Sequence, residues 1–275
     1  MRRVAFTAVV TLAAALALGF LLLPVVAIFL RVSPGDLLGR LNDRVALDAL
    51  TVTAKTNGIA FALTLLVGTP AAYLIATRRF PGRAVVVTIC ELPLVLPPAV
   101  AGIGLLAAFG RAGLLGGSLD AVGIRVGFTQ AAVVLAVLFV AGPFYLRQAI
   151  AAFEAVDPTL LAAARTLGAG PGRTFLRVAL PLAGGGLGAG AALALARGIG
   201  EFGATIMFAG SLQGVTQTVS LAIYAQFGVD FTQALAMGAL LVVVSATVLL
   251  AMKVVPGWRR SPSTSPFLFA PSSSL

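Results

Sequence analysis

Arg197 and Glu201 stand four residues apart inside the apolar stretch LALARGIGEFGATIMFAG, residues 193–210. On a helix that spacing places both charges on one face. Each would cost roughly 2.5–3.5 kcal/mol at the centre of a bilayer, so neither is expected to face lipid. Two kinds of chemistry are open to them: an internal ion pair that fixes helix packing, or direct contact with a charged substrate. Glu91 and Lys55 raise the same question in other apolar stretches. Other site chemistries are excluded. Histidine is absent and Cys90 is the single cysteine, so there is no histidine metal site, no Ser-His-Asp triad and no disulfide within the chain. GIGEFG, residues 198–203, formally matches G-x-G-x-x-G, but it lies in a long apolar run and not between a strand and a helix, so it is not a dinucleotide fingerprint. The two lysines, Lys55 and Lys253, follow Ala54 and Met252, so no phosphate-binding P-loop exists. The chain has no engine of its own; active transport would draw on another subunit or on an ion gradient.

The elements that must carry these residues are membrane helices. Of 275 residues, 59% are hydrophobic and only 10% charged, with mean hydropathy +1.05. A soluble domain would carry about a quarter charged residues. The net charge of +10 comes from arginines scattered between apolar blocks, which reads as membrane-loop charge and not as a nucleic-acid face. Six apolar segments follow, at about 4–30, 56–77, 84–109, 128–150, 179–209 and 232–254, each long enough for a ~30 Å hydrocarbon core. The first is too long for a signal-peptide core and is read as a retained helix. With the N-terminus in the cytoplasm, twelve Lys and Arg fall inside and five outside, which places both termini inside. The expected organisation is a first helix and outer loop (1–51), a five-helix core (52–255) and a disordered Ser/Pro-rich tail (256–275) with no assigned role.

Glycine and proline mark special positions. Gly184 with Gly188, and Gly186 with Gly190, have the small-residue spacing of close helix packing in lipid. Pro93, Pro97 and Pro98 in ELPLVLPPAV, residues 91–100, should bend or break the third span. A broken span is tolerated where it lines a watery cavity, so this segment is a candidate wall of a path. In the cytoplasmic loop between the fourth and fifth spans stands LLAAARTLGAGPGRTFLRVALPLA, residues 160–183. Asp157 and Pro158 suit a helix start, Gly168 a helix end, and Gly170, Pro171 and Gly172 a sharp turn. A second helix is expected from near Arg173 toward Leu180 and Pro181. The small side chains of Ala162, Ala163 and Ala164 would let another surface approach closely.

Ala163, Ala164, Gly168, Val178, Leu180 and Pro181 together resemble the coupling loop of ABC-importer permeases: A-A-x-x-x-G, nine residues, a β-branched residue, one more, then L-P. Ala162 stands where that family usually has Glu. LPLVLPPAVAGIGLLAAFGRAGLLG, GEFGATIMFAG and TQTVSLAIY resemble the molybdate/sulfate-type permeases, over about residues 50–250. The resemblance implies an all-α integral membrane protein of six transmembrane helices, with a cytoplasmic coupling helix between the fourth and fifth, within 153–180. It implies the channel subunit of an ATP-driven molybdate importer, not itself an enzyme, in a bacterial- or archaeal-type plasma membrane. It further implies a homodimer, two copies of a cytoplasmic ATPase that binds ATP and Mg, and an extracytoplasmic oxyanion-binding protein, with no cofactor on this chain. Ala162 to Gly168 would dock in the ATPase, with Arg165 and Arg173 as polar contacts. Pro97, Pro98, Arg197, Glu201, Thr205 and Ser211 would line the path. Sulfate or tungstate as cargo, a gradient-driven secondary transporter using Arg197, Glu201 and Glu91, and a non-transporting scaffold are the alternatives.

Overall fold

The computed structural model describes residues 2–254, and every regular element among them is helical. The tail expected to be disordered lies outside them. In chain order the helices are α1 (Arg2–Arg31), α2 (Pro34–Leu41), α3 (Arg44–Thr77), α4 (Arg83–Val95), α5 (Pro98–Phe109), α6 (Gly116–Ala121) and α7 (Gln130–Glu154). They continue with α8 (Pro158–Thr166), α9 (Pro171–Thr174), a π-turn at Phe175–Ala179, α10 (Leu180–Ile199), α11 (Gly203–Ala209), α12 (Val219–Phe227) and α13 (Phe231–Val254). Five stretches are long and apolar enough to cross a membrane, and α4 with α5 makes a sixth when taken as one broken span.

The third span is broken, as its prolines require. Leu96 (ψ 134°) and Pro97 (ψ 133°) are both extended, and each precedes a proline. The proline ring disfavours helical backbone at the residue before it, though Pro93 remains inside α4 and does not break it. Two such residues in succession turn a kink into a bend of 115° between α4 and α5.

The fifth span departs from the sequence reading. It is not one helix over 179–209: α10 ends at Ile199, Phe202 leaves helical geometry (φ −133°, ψ −55°), and α11 is a separate short helix. GIGEFG therefore straddles a break and does not lie within a helix. The second span is longer than read, because α3 starts at Arg44 and not near 56. Its 34 residues measure about 51 Å at 1.5 Å per residue, well beyond a ~30 Å core. Residues 57–77 alone account for ~30 Å. Lys55 of α3 is exposed.

Three packed regions hold the bundle. At one end Tyr145, Phe153, Leu161 and Leu187 join α3, α7, α8 and α10. At the other, Leu105, Val133, Val137 and Phe208 join α5, α7 and α11. Ala46, Ala49, Val219, Ala222 and Met237 tie the start of α3 to α12 and α13. Small residues set the spacing. A Cβ on Gly186 would lie 2.5 Å from Ala152 Cβ, and one on Gly190 2.9 Å from Gln148 Cβ, so α10 lies close against α7. Gly184 and Gly188, with the same spacing, meet nothing within 4 Å.

Candidate functional site

Two parts of the fold gather the residues singled out above. The first is an elbow, residues 157–179. Asp157 Oδ1 accepts the Thr159 amide at 2.8 Å and Pro158 takes the first helical position, which starts α8. That amide holds the Asp157 carboxyl below the usual carboxylate range. Gly168 ends the helix with φ +84°, a left-handed conformation that glycine adopts without strain. Ala162, Ala163, Arg165, Gly168 and Arg173 are exposed, and Ala164 is half-buried. Leu160 and Leu176 are exposed too, and Leu167 is 88% exposed. Leu161 turns the other way, into the core. Tyr73 of α3, Phe153 of α7 and Phe175 then clamp the elbow, with ring centroids 4.8–6.2 Å apart.

Leu180 and Pro181 do not end the second helix of the elbow. Helical structure runs on from Pro171 to Ile199. Pro181 lacks an N–H and crowds the carbonyl four residues back. The π-turn just before it, closed by Leu180 N–H to Phe175 O, widens the helix and accommodates the ring. Pro181 itself is exposed and Leu180 half-buried.

The second part is the meeting of broken helix ends at the far end of α10. Arg197 and Glu201 form the ion pair the spacing allowed, Nη2 to Oε2 at 2.6 Å. Glu201 Oε1 also accepts the Ala204 amide at 2.7 Å and so caps α11. Gly198 sits against Asn57, within 2.9 Å of Oδ1 for an added Cβ, which puts the pair beside Asn57 of α3. Gly203 abuts Pro98, and Gly102 abuts the Ala204 carbonyl, each so closely that a Cβ would come within 2.7 Å, which brings the two broken spans together. Pro97 and Pro98 are exposed at their break. Ser211 Oγ accepts from Gln217 Nε2 at 3.2 Å. Thr205 is fully buried, its Oγ1 without a protein partner, and does not open to a surface of this chain. Glu91 is paired with Arg147 of α7 at 3.3 Å, so Arg147 is not a free loop charge.

Sequence reasoning missed Asn57, Gln217 and α12. Asn57 is a buried amide in a helix read as beginning one residue earlier, and α12 is too short for a span-length window. The run TQTVS, residues 216–220, was the available signal: among its residues Thr218 is the cap position of α12, and Val219 N–H donates to Thr53 Oγ1 of α3 at 2.9 Å.

A bundle of six spans with broken helices at one end and a clamped, exposed elbow at the other is the architecture of a membrane-embedded transport component. The chain belongs to the binding-protein-dependent transport system inner membrane components, whose family profile matches residues 65–258. Its members are transport subunits, not enzymes, and the chain is accordingly a multi-pass membrane protein. It is 44% identical over 235 residues to the molybdenum transport system permease protein ModB of Mycobacterium tuberculosis, across 85% of this chain and 88% of that one. It is 36% identical over 203 residues to the sulfate transport system permease protein CysW of Synechococcus elongatus, across 72% and 71%. In fold it is similar to a chain of a bacterial alginate ABC transporter crystallised with its periplasmic protein, at TM-score 0.70 and 18% identity over 91% of this chain and 93% of that one.

Proposed function

We propose that this chain is the membrane-spanning subunit of an ATP-driven molybdate importer and works as a homodimer. Two copies of a cytoplasmic ATPase bind ATP and Mg, and an extracytoplasmic binding protein delivers the anion. Both termini and the elbow face the cytoplasm. Ala162, Ala163 and Ala164, with Leu167 and Gly168, form the surface that docks in the ATPase; Arg165 and Arg173 flank it. Pro97, Pro98, Arg197 and Ser211 line the path, and the buried Glu201 and Thr205 stand behind it. The observation that carries this reading is the elbow: α8 is firmly capped and clamped on one side, yet presents apolar and small side chains outward. A soluble-facing loop has no reason to hold Leu160, Leu167 and Leu176 exposed around a rigid turn unless a partner covers them.

Gly168→Trp is the test. Its left-handed backbone and open surroundings mean that the indole strains the turn and protrudes from the docking face. The dimer should assemble while ATP-dependent molybdate uptake falls by roughly tenfold or more. Unaltered coupling overturns the docking role. Sulfate is the second cargo reading, favoured by the likeness to the sulfate permease. Uptake of labelled molybdate into proteoliposomes that resists excess sulfate supports molybdate; equal competition supports a shared oxyanion path.

A further inference from the structure

Arg197 and Glu201 are a pair, but an unequal one. Glu201 is 1% exposed in its side chain and doubly fixed, by Arg197 on one oxygen and by the Ala204 amide on the other. Arg197 keeps 28% of its side chain exposed and has no other side-chain partner among the described residues. The 2.6 Å contact to Oε2 is off the line of a hydrogen bond, so it is a charge contact and leaves the guanidinium donors unspent. The carboxylate is thus the anchored member and the guanidinium the movable one. Around them lie irregular backbone at Gly200, Glu201 and Phe202 and the proline break of α4 and α5. A guanidinium presents a planar fork of donors that fits two oxygens of a tetrahedral oxyanion.

We propose that Arg197 is the cationic contact a tetrahedral dianion meets where the path passes the broken helix ends, and that Glu201 is a positioning residue that neutralises this guanidinium until the anion competes for it. The proposal rests on the molybdate-importer reading. Its chemical logic is release. A bare arginine in the path would hold a dianion strongly, and a conducting site must also let go. An anchored carboxylate beside it supplies a returning competitor, so the anion is engaged in passing and not trapped.

The experiment uses the complete permease–ATPase complex, purified without the binding protein, and radiolabelled molybdate in equilibrium dialysis. Glu201→Gln keeps an oxygen for the Ala204 amide but removes the competing charge. It should tighten molybdate binding by roughly tenfold or more over wild type. The double change Glu201→Gln with Arg197→Gln should return binding to the wild-type level, a result that a merely structural ion pair would not give. In proteoliposomes supplied with binding protein and ATP, the single variant should take up molybdate more slowly because release is slowed. If Glu201→Gln binds no more molybdate than wild type while wild-type uptake is ATP-dependent, this proposal falls and the importer reading stands. If wild-type proteoliposomes take up no molybdate, the importer reading falls and the proposal with it. Should Glu201→Gln fail to assemble, Glu201→Asp, which keeps the charge but shortens its reach, should raise binding by a smaller factor; no rise overturns the proposal.

Discussion

Gly184 and Gly186 are two residues apart on one helix and answer to different neighbours. Gly186 is pressed against Ala152, where even one carbon would come within 2.5 Å. Gly186→Ala should destabilise the folded chain by about 1–3 kcal/mol through overpacking, read as a lower unfolding temperature in detergent. Gly184→Ala meets nothing within the chain and should be neutral, or stabilising by up to about 1 kcal/mol from helix propensity. Equal losses would show that α10 is not seated on α7 as described. The glycine spacing was readable from the sequence; which pair touches α7 was not, because spacing gives a face but not the direction it points. The same holds for Arg197 and Glu201. Their four-residue separation announced a pair, yet the second bond of Glu201, to the Ala204 amide, depends on a break that no proline marks.

At the scale of elements, the two broken spans differ in how legible they were. Pro97 and Pro98 announce the break between α4 and α5, since the residue ahead of each is disfavoured in the helix, whereas Pro93 is accommodated inside α4. Between α10 and α11 the break is made by Gly200, Gly203 and a carboxylate cap, all compatible with a helix until tertiary packing chooses otherwise. The start of α8 was legible because Asp157 and Pro158 are local signals. Its cap also has a pH signature. The Thr159 amide favours the ionised Asp157, whose pKa is lowered in the fold. Its support for α8 is therefore complete above the unfolded carboxylate value of about 3.9 and is lost as pH falls through the lower folded value. Hydrogen exchange in the first turn of α8 should accelerate over that acid range. Asp157→Asn, a cap without a charge, should keep the helix and abolish that acid dependence. Acid-dependent exchange that survives in the Asn variant would assign the effect elsewhere.

For the whole molecule, the arginine count predicts a sidedness that labelling can check. In a Cys90→Ser background, Leu167→Cys in the elbow should react with a membrane-impermeant maleimide only from the cytoplasmic side. Leu114→Cys, at a residue 90% exposed between α5 and α6, should react only from the opposite side. Reversed labelling would invert the orientation and remove the elbow from any cytoplasmic ATPase. The number of spans, their order and the elbow were readable because hydrophobic length and local turn chemistry are properties of short windows. The placement of α5, α11 and α12 was not, because those helices are too short to span and owe their positions to packing, α5 and α11 against each other and α7, α12 against α3 and α13.

The unbroken run from the elbow into α10 has a mechanical meaning. From Phe175, gripped by two neighbouring rings, to Ile199 the run rises 24 steps, or about 36 Å at 1.5 Å per residue. Such a rod is a lever with its fulcrum at the aromatic clamp. A tilt of only about 5° there would swing the far tip by about 3 Å. That displacement is comparable to the 2.6 Å separation of Arg197 and Glu201, so such a tilt at the elbow would reach this pair at the length scale of a single ionic contact.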